Sequence, residues 1–359
     1  MIEHDRRKKH RSPYIILAVV LVGWLAFLPL FAREFFSDLF FMPFVGALAA
    51  VVANITPAAA GIVYFPILTN LQVSPVTVAQ FSMAIQAYGM GLGTLRWYQV
   101  NPRLFLPNVL VLSFVGGVLG QVASLVFFPI QNPEMLSLIF NGISFIFTQI
   151  IFFSLITNSK YPNTTFVLNL SNGTVMFLVS VVGGLLCGWI GFGIDTIFYF
   201  VLTLVYRLNP AIAIVTSIAL MAAMSITGTL LNALLYEVPV TLWFSALPGV
   251  TIGGLFLATY IAVKMGPRNI LLLFTFFLST DFFVTLWTQQ ALPMTETVRK
   301  IIIYILVFYL LLIHVRIIRK QSATGAVERR RRDESDSQNV QDEPSEEDVS
   351  SRDSEQHPG

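Results

Sequence analysis

Long apolar stretches alternate with short polar links along most of the chain, and two of the stretches are broken near their middle. Unbroken runs occupy about residues 13–32, 75–95, 104–127, 135–157, 210–235, 238–263, 269–288 and 301–318. At about 1.5 Å per residue, each is long enough to cross a bilayer as a helix. The broken stretches cover about residues 40–70 and 175–206. The first is cut by Asn54-Ile55-Thr56-Pro57-Ala58-Ala59-Ala60-Gly61 and the second by Gly188-Trp189-Ile190-Gly191-Phe192-Gly193-Ile194-Asp195. The same words follow each break. Tyr64-Phe65, Pro75, Ser82 and Gly93-Thr94-Leu95 are answered by Tyr199-Phe200, Pro210, Ser217 and Gly228-Thr229-Leu230, every pair 135 residues apart, as Pro75 and Pro210 are. Broken hydrophobic segments at matching places in two halves point to the binding site of a secondary transporter.

Composition turns this pattern into a class. Hydrophobic residues make up 55% of the 359 residues and charged residues 12%, which a water-soluble domain of this size does not sustain. The expectation is an all-α, polytopic membrane protein. The single cysteine, Cys187, excludes an intramolecular disulfide, and His4, His10, His314 and His357 are too scattered for a metal site. No nucleotide-binding loop, nucleophile elbow or paired catalytic carboxylate is present, so neither an ATP-driven pump nor an enzyme is expected, and no cofactor or metal.

Charge sets the topology. Asp5-Arg6-Arg7-Lys8-Lys9-His10-Arg11 precedes the first apolar run, which is longer than a signal-peptide core and ends without a small-residue cleavage site, so a retained helix with a cytoplasmic N-terminus is expected. Each broken stretch reads either as one kinked crossing or as a re-entrant hairpin. If both are hairpins, Arg96, Arg103, Lys160, Arg207, Lys264, Arg268, Arg316, Arg319 and Lys320 all fall in the cytoplasm, leaving Arg33, Arg299 and Lys300 outside. Crossing segments would put Arg96, Arg103 and Lys160 outside, against the positive-inside bias. Hairpins are therefore preferred. They imply two inverted repeats, each a re-entrant helical hairpin plus three transmembrane helices, with extra N- and C-terminal transmembrane helices. The expected divisions are 1–39 for the basic N-terminus and first helix, 40–157 and 175–288 for the repeats, 298–319 for the last helix, and 320–359 for a disordered cytoplasmic tail. That tail carries Arg329 to Arg332 and then a run rich in Asp, Glu, Ser and Gln without an aromatic residue.

Non-helical backbone at membrane depth survives only where it is buried in protein or lines a wet cavity. Thr56-Pro57 has the form of an N-cap and first helical residue, so a half-helix is expected to start there and run towards Asn70. Its N–H groups and positive dipole end would hold an anion without a buried arginine. Ala58, Ala59, Ala60 and Gly61, with Gly191, Phe192, Gly193, Ile194 and Thr196 across the second break, allow close approach of a ligand. Gln80, Ser82 and Gln86 on the following helix, and Ser217 in the second copy, supply hydrogen-bonding groups. Asp195 sits in the first turn of the second half-helix, where the dipole favours its charge while burial and a bound anion oppose it. That balance suits a group taking H⁺ or Na⁺ with the anion, although a plain helix cap is the alternative. Asp281 is the second intramembrane carboxylate and coupling candidate. Arg96, Trp97 and Tyr98 read as an interfacial belt.

The order of a small-residue break, an aromatic-proline half-helix, Pro75-x-x-x-Ala79-x-x-Ser82, then Gly93-Thr94-Leu95-Arg96 and Val100-Asn101 resembles the sulfite exporter TauE/SafE family of permeases, over about residues 40–128 and 180–288. The family's glycine run is replaced by Thr56-Pro57-Ala58-Ala59-Ala60 in the first repeat, and Gly191-x-Gly193 survives in the second. The resemblance implies a multi-pass permease of a bacterial inner membrane that moves a small anion such as sulfite, a sulfonate or an organic acid. An anion channel on the same pore, and a non-transporting membrane scaffold, are the alternatives.

Overall fold

The computed structural model describes residues 2–130 and 163–266, with scattered positions among 132–150, 269–279 and 297–319; of residues 2–11 it describes the backbone alone. Lys160, Arg268, Asp281 and the tail from Lys320 lie outside the described residues, as does most of the runs 135–157 and 269–288.

The described chain is helical, with one isolated β-bridge between Asn163 and Leu208. We number the helices α1 (Ile2–Glu34), α2 (Met42–Ile55), α3 (Gly61–Asn70), α4 (Pro75–Val100), α5 (Pro107–Val122), α6 (Leu170–Ile190), α7 (Ile194–Phe200), α8 (Pro210–Leu235) and α9 (Val240–Ile252). Turns of π-helix continue α1, α5, α7 and α9. Most starts carry the signal expected of them. Proline occupies the first turn of α2, α4, α5 and α8, and Ser74, Asn169 and Asn209 accept hydrogen bonds from Thr77, Asn172 and Ala211 backbone N–H groups. Asn169 is why α6 begins at Leu170, ahead of the expected 175.

Among the described residues, five helices are long and apolar enough to cross a membrane: Ser12–Leu39, Pro107–Phe127, Leu170–Ile190, Pro210–Leu235 and Val240–Gly266. Helix α4 has the length, at 26 residues, but carries Gln80, Ser82, Gln86 and Gln99. Ser82 and Gln86 are buried, so this polarity faces protein rather than lipid.

Small residues decide which helices touch, because lipid tails give no hydrophobic reason for apolar helices to associate. On α5 and α6 the facing residues advance together: Gly116 meets Phe177 and Ser180, Gly120 meets Val181 and Leu185, and Gly188 meets Ser124. These helices are parallel. The same holds for α2 and α9, where Gly249 meets Pro43, Gly253 meets Ala47 and Ala50, and Gly254 meets Asn54. Helices α4 and α8 run oppositely, with Met83 against Gly228 and Asn232, and the Thr216 hydroxyl donating to the Leu104 carbonyl at 3.2 Å.

Short links reverse α4 into α5 and α8 into α9, so α2 and α4 point the same way and α3 between them is a return leg. By the same argument α7 returns between α6 and α8. Asn163, ahead of α6, receives the Asn209 N–H at 2.8 Å, which brings the chain after α7 back to where α6 began. Helix α1 packs antiparallel on α9, with Tyr14 against Phe256 and Trp24 stacked on Phe244. The described positions from residue 297 onward are helical and belong to a separate compact unit.

A Cβ on Gly184 would overlap the Gly117 carbonyl, a backbone atom that cannot rotate away. Gly184→Leu is therefore expected to destabilise the α5–α6 pair by roughly 3 kcal/mol. Loss of the monodisperse peak in detergent size-exclusion, with a lowered melting temperature, is the check; wild-type melting would contradict this packing.

Candidate functional site

The two breaks meet in the protein interior. Residues 56–65 and 190–196 are all buried, and the Thr196 hydroxyl donates to the Pro57 carbonyl at 2.7 Å, joining the unwound segments directly.

The first break begins differently from the sequence expectation. Thr56 is the C-cap of α2, extended at φ −121° and ψ 160°, and the second helix starts at Gly61 with Ala60 before it and no side-chain cap. Proline excludes the helical region for the residue ahead of it, and the Thr56 hydroxyl donates back to Val52 O at 2.7 Å, which ties it to the helix it ends. The same oxygen accepts the Ala58 N–H at 3.3 Å, holding a turn through Pro57–Ala60. At the opening of α3 the Ile62 N–H closes onto the Ala59 carbonyl at 3.3 Å, and the Val63 and Tyr64 N–H groups onto the Ala60 carbonyl at 3.0 and 3.1 Å, so the N–H groups left to face a ligand are those of the turn ahead of Ile62.

In the second break Gly191 (φ +80°) ends α6 and Gly193 (φ +114°) precedes α7, both backbone states that favour glycine. Asp195 is fully buried. Its Oδ1 accepts the Gly193 N–H at 3.3 Å and faces the Thr196 hydroxyl at 3.5 Å, in the manner of an acidic capping residue, whereas Oδ2 has no hydrogen-bond partner.

Helix α4 supplies the third wall. Gln86 Nε2 donates to the Gly191 carbonyl at 3.1 Å and also to Ser82 Oγ, while Gln86 Oε1 is left without a partner. A Cβ on Gly61 would lie 2.8 Å from Ser82 Oγ, and one on Gly191 2.8 Å from Ala79 O. The structure thus gathers Pro57, Gly61, Ser82, Gln86, Gly191 and Thr196. Gln80 is half-buried and lines a separate cleft. Ser217 donates to Ala213 O at 2.7 Å within its own helix, so its match to Ser82 in the repeat is not a match in contacts. Asp281 lies outside the described residues.

Sequence reasoning passed over Asn54, Gln121 and Asn232, all buried amides with a carbonyl oxygen lacking a partner. The available signal was an Asn or Gln inside an apolar run, which is costly at membrane depth. Trp97, expected in an interfacial belt, is half-buried. The Trp97 indole turns inward and donates to the Asn54 carbonyl at 3.0 Å, while Tyr98 remains exposed.

No carboxylate, histidine or cysteine cluster suited to a metal occurs among the described residues. A search of curated proteins and one of solved structures each returned no match. The family model of the sulfite exporter TauE/SafE matches residues 42–280, which span both breaks and most of the chain. On that match the chain is a multi-pass membrane permease and belongs to the sulfite exporter TauE/SafE family.

Proposed function

We propose that this chain is a secondary transporter for a small anion such as sulfite, a sulfonate or an organic acid, working by alternating access between its two broken helices. The observation that carries the reading is the Thr196–Pro57 hydrogen bond, which brings two irregular segments together where backbone polar groups have no lipid-compatible alternative. The anion's seat is the turn Thr56–Gly61 with the start of α3 on one side and Gly191–Thr196 on the other, with Ser82 donating its hydroxyl from α4 and Gln86 holding Ser82 and the Gly191 carbonyl in place. It is a site of N–H dipoles and hydroxyls without a cationic side chain, suited to a compact oxyanion.

The two repeats are oppositely oriented copies in this reading. What supports it is the reciprocity of packing: the first helix of each half lies parallel to the last helix of the other, and the central pair, α4 and α8, is antiparallel. Rocking one half against the other would separate Thr196 from Pro57 and expose the seat to each side in turn. The basic N-terminus and the clustering of Arg96, Arg103, Arg207 and Lys264 at one end support cytoplasmic termini in an inner membrane. Asp195 couples the anion to H⁺ or Na⁺ through its unpartnered oxygen. The facilitator reading draws on one observation, the bond from Gly193 N–H to Asp195, which a plain cap would also make.

Proteoliposomes holding purified protein, screened for uptake of labelled sulfite, sulfonates and small carboxylates at imposed pH and Na⁺ gradients, test this. Accumulation of one anion class above equilibrium is expected. Flux that only equilibrates would leave the facilitator, and no flux for any class would defeat the reading.

A further inference from the structure

A second polar cluster lies beside the tip of α6, apart from the seat between the breaks. It borders a narrow cleft at the end of the bundle where α4 begins and α5 and α8 finish, lined by Gln80, Met83, Ser124, Gly188, Asn232 and Tyr236 among others. The cleft leaves about 40 Å³ for water centres, enough for two or three water molecules. Gln121 stands behind Met83, one side chain deeper, and is fully buried.

The hydrogen bonding here is one-sided. Asn232 Nδ2 faces Met83 Sδ at 3.3 Å, and Gln121 Nε2 faces Met83 Sδ at 3.9 Å and Cys187 Sγ at 3.6 Å. Both amide donors are directed at sulfur, a weak acceptor, while Gln121 Oε1 and Asn232 Oδ1 have no partner at all. Turning the Asn232 amide over would set oxygen against a thioether with no proton to give, and turning Gln121 over would gain the weak Cys187 S–H donor while removing its amide donor from both sulfurs. Ser124 adds no free donor, because its hydroxyl is given to Gln121 O at 2.9 Å. The cluster is short of positive charge and of donors, not of acceptors. An oxyanion would add acceptors to a place already holding too many, whereas a hard cation or a protonated water would give a carbonyl oxygen the partner it lacks. Cys187 continues the line inward: Gly183, one turn before it on α6, packs on Ile194, and the next residue, Asp195, carries another unpartnered oxygen.

We infer that this cleft is the intake site for a monovalent cation, Na⁺ or a hydrated proton, received at the carboxamide oxygens of Gln121 and Asn232 on its way to Asp195. The inference deepens the transport reading and rests on it for the use made of the cation. Helices α5, α6 and α8 carry no Lys, Arg, His, Asp or Glu, and α4 carries Arg96 alone, at its far end. Cys187 and Tyr236 are the titratable groups that face the cleft from these elements. No carboxylate lines the cleft itself, and Glu237, next to Tyr236, is exposed to solvent, so a cation received here is held weakly and passes on.

The test uses the full-length protein in two arms. In the sodium arm, replacing choline with Na⁺ at fixed ionic strength raises the melting temperature of detergent-purified protein. In the proton arm Na⁺ has no such effect, and acidifying the side onto which the cleft opens, without Na⁺, drives uptake of labelled sulfite. In whichever arm responds, Gln121→Leu and Asn232→Leu are expected to raise the cation concentration for half-maximal response at least about tenfold, equivalent to about 1.4 kcal/mol. Asn232→Asp, which places a carboxylate at the same oxygen, lowers it. If the leucine variants do not fold, the direction of the Asn232→Asp shift decides. Equal half-response in wild type and variants, or no response in either arm, overturns the intake site. Absence of any sulfite exchange by a wild-type protein that Na⁺ still stabilises would instead overturn the transport reading.

Discussion

Asp195→Asn is expected to abolish gradient-driven accumulation while leaving exchange of anion across the membrane in place. The substitution is nearly isosteric and keeps an oxygen for the Gly193 N–H, so the local capping geometry at the start of α7 survives. What it removes is a charge, and with it the unpartnered Oδ2 that sits fully buried beside the junction of the two breaks. A tenfold gradient of a monovalent cation is worth about 1.4 kcal/mol, so coupling to one ion sustains a tenfold accumulation ratio, and losing that ion returns the ratio to equilibrium. Labelled anion uptake into proteoliposomes, with and without an imposed gradient and with counterflow as the exchange control, separates the two activities. Were Asp195 only a cap, asparagine would serve as well and accumulation would be unaltered, which would refute its coupling role. Asp195→Leu, which loses the cap as well, is expected to lower stability by about 1 kcal/mol besides.

The duplication and the two breaks were legible because glycine and proline leave marks that no packing can erase. Gly191 and Gly193 occupy backbone states closed to most side chains, and the repeat fixes where Pro75 and Pro210 start their helices. The direction of each hairpin across the membrane is an expectation from charge alone, since misplacing Arg96 and Arg103 is costly. The start of α3 was not legible. Thr56-Pro57 satisfies the rule for a helix start, but the same proline holds Thr56 extended and its hydroxyl bonds backwards, so the helix waits until Gly61. Nor did the pattern reveal which polar residues meet. Gln121 and Asn232 lie in separate apolar runs and converge only because α5 and α8 both pass Met83. Ser82 and Ser217 show the converse. They are equivalent in the repeat, yet Ser82 faces both Gly61 and Gly191 whereas Ser217 bonds its own helix. Contacts of this kind depend on inter-helix geometry, and a local pattern carries no record of it.

Gly191→Ala is expected to combine backbone strain with a collision at the wall of the anion seat, and to abolish uptake. The residue sits at φ +80°, where an L side chain crowds the following carbonyl, at roughly 1–2 kcal/mol. Its new Cβ would also lie 2.8 Å from the Ala79 carbonyl, a backbone atom held inside α4 that can yield only if the whole hairpin tip withdraws. Withdrawal breaks the bond from Gln86 to the Gly191 carbonyl and loosens the wall that α4 gives the anion seat. Two other glycines separate these costs. At Gly193 (φ +114°) the added methyl meets only Leu186, at ordinary contact distance, so Gly193→Ala isolates backbone strain from collision. At Gly91, in the interior of α4, nothing lies within reach, and alanine there is expected to be neutral or to stabilise by up to about 1 kcal/mol. Melting temperatures in detergent should therefore fall in the order Gly91→Ala, Gly193→Ala, Gly191→Ala, and anion uptake should be lost in the last. Wild-type uptake by Gly191→Ala would mean that the tip of α6 does not rest on α4 when the anion passes, and the seat between the breaks would lose its third wall.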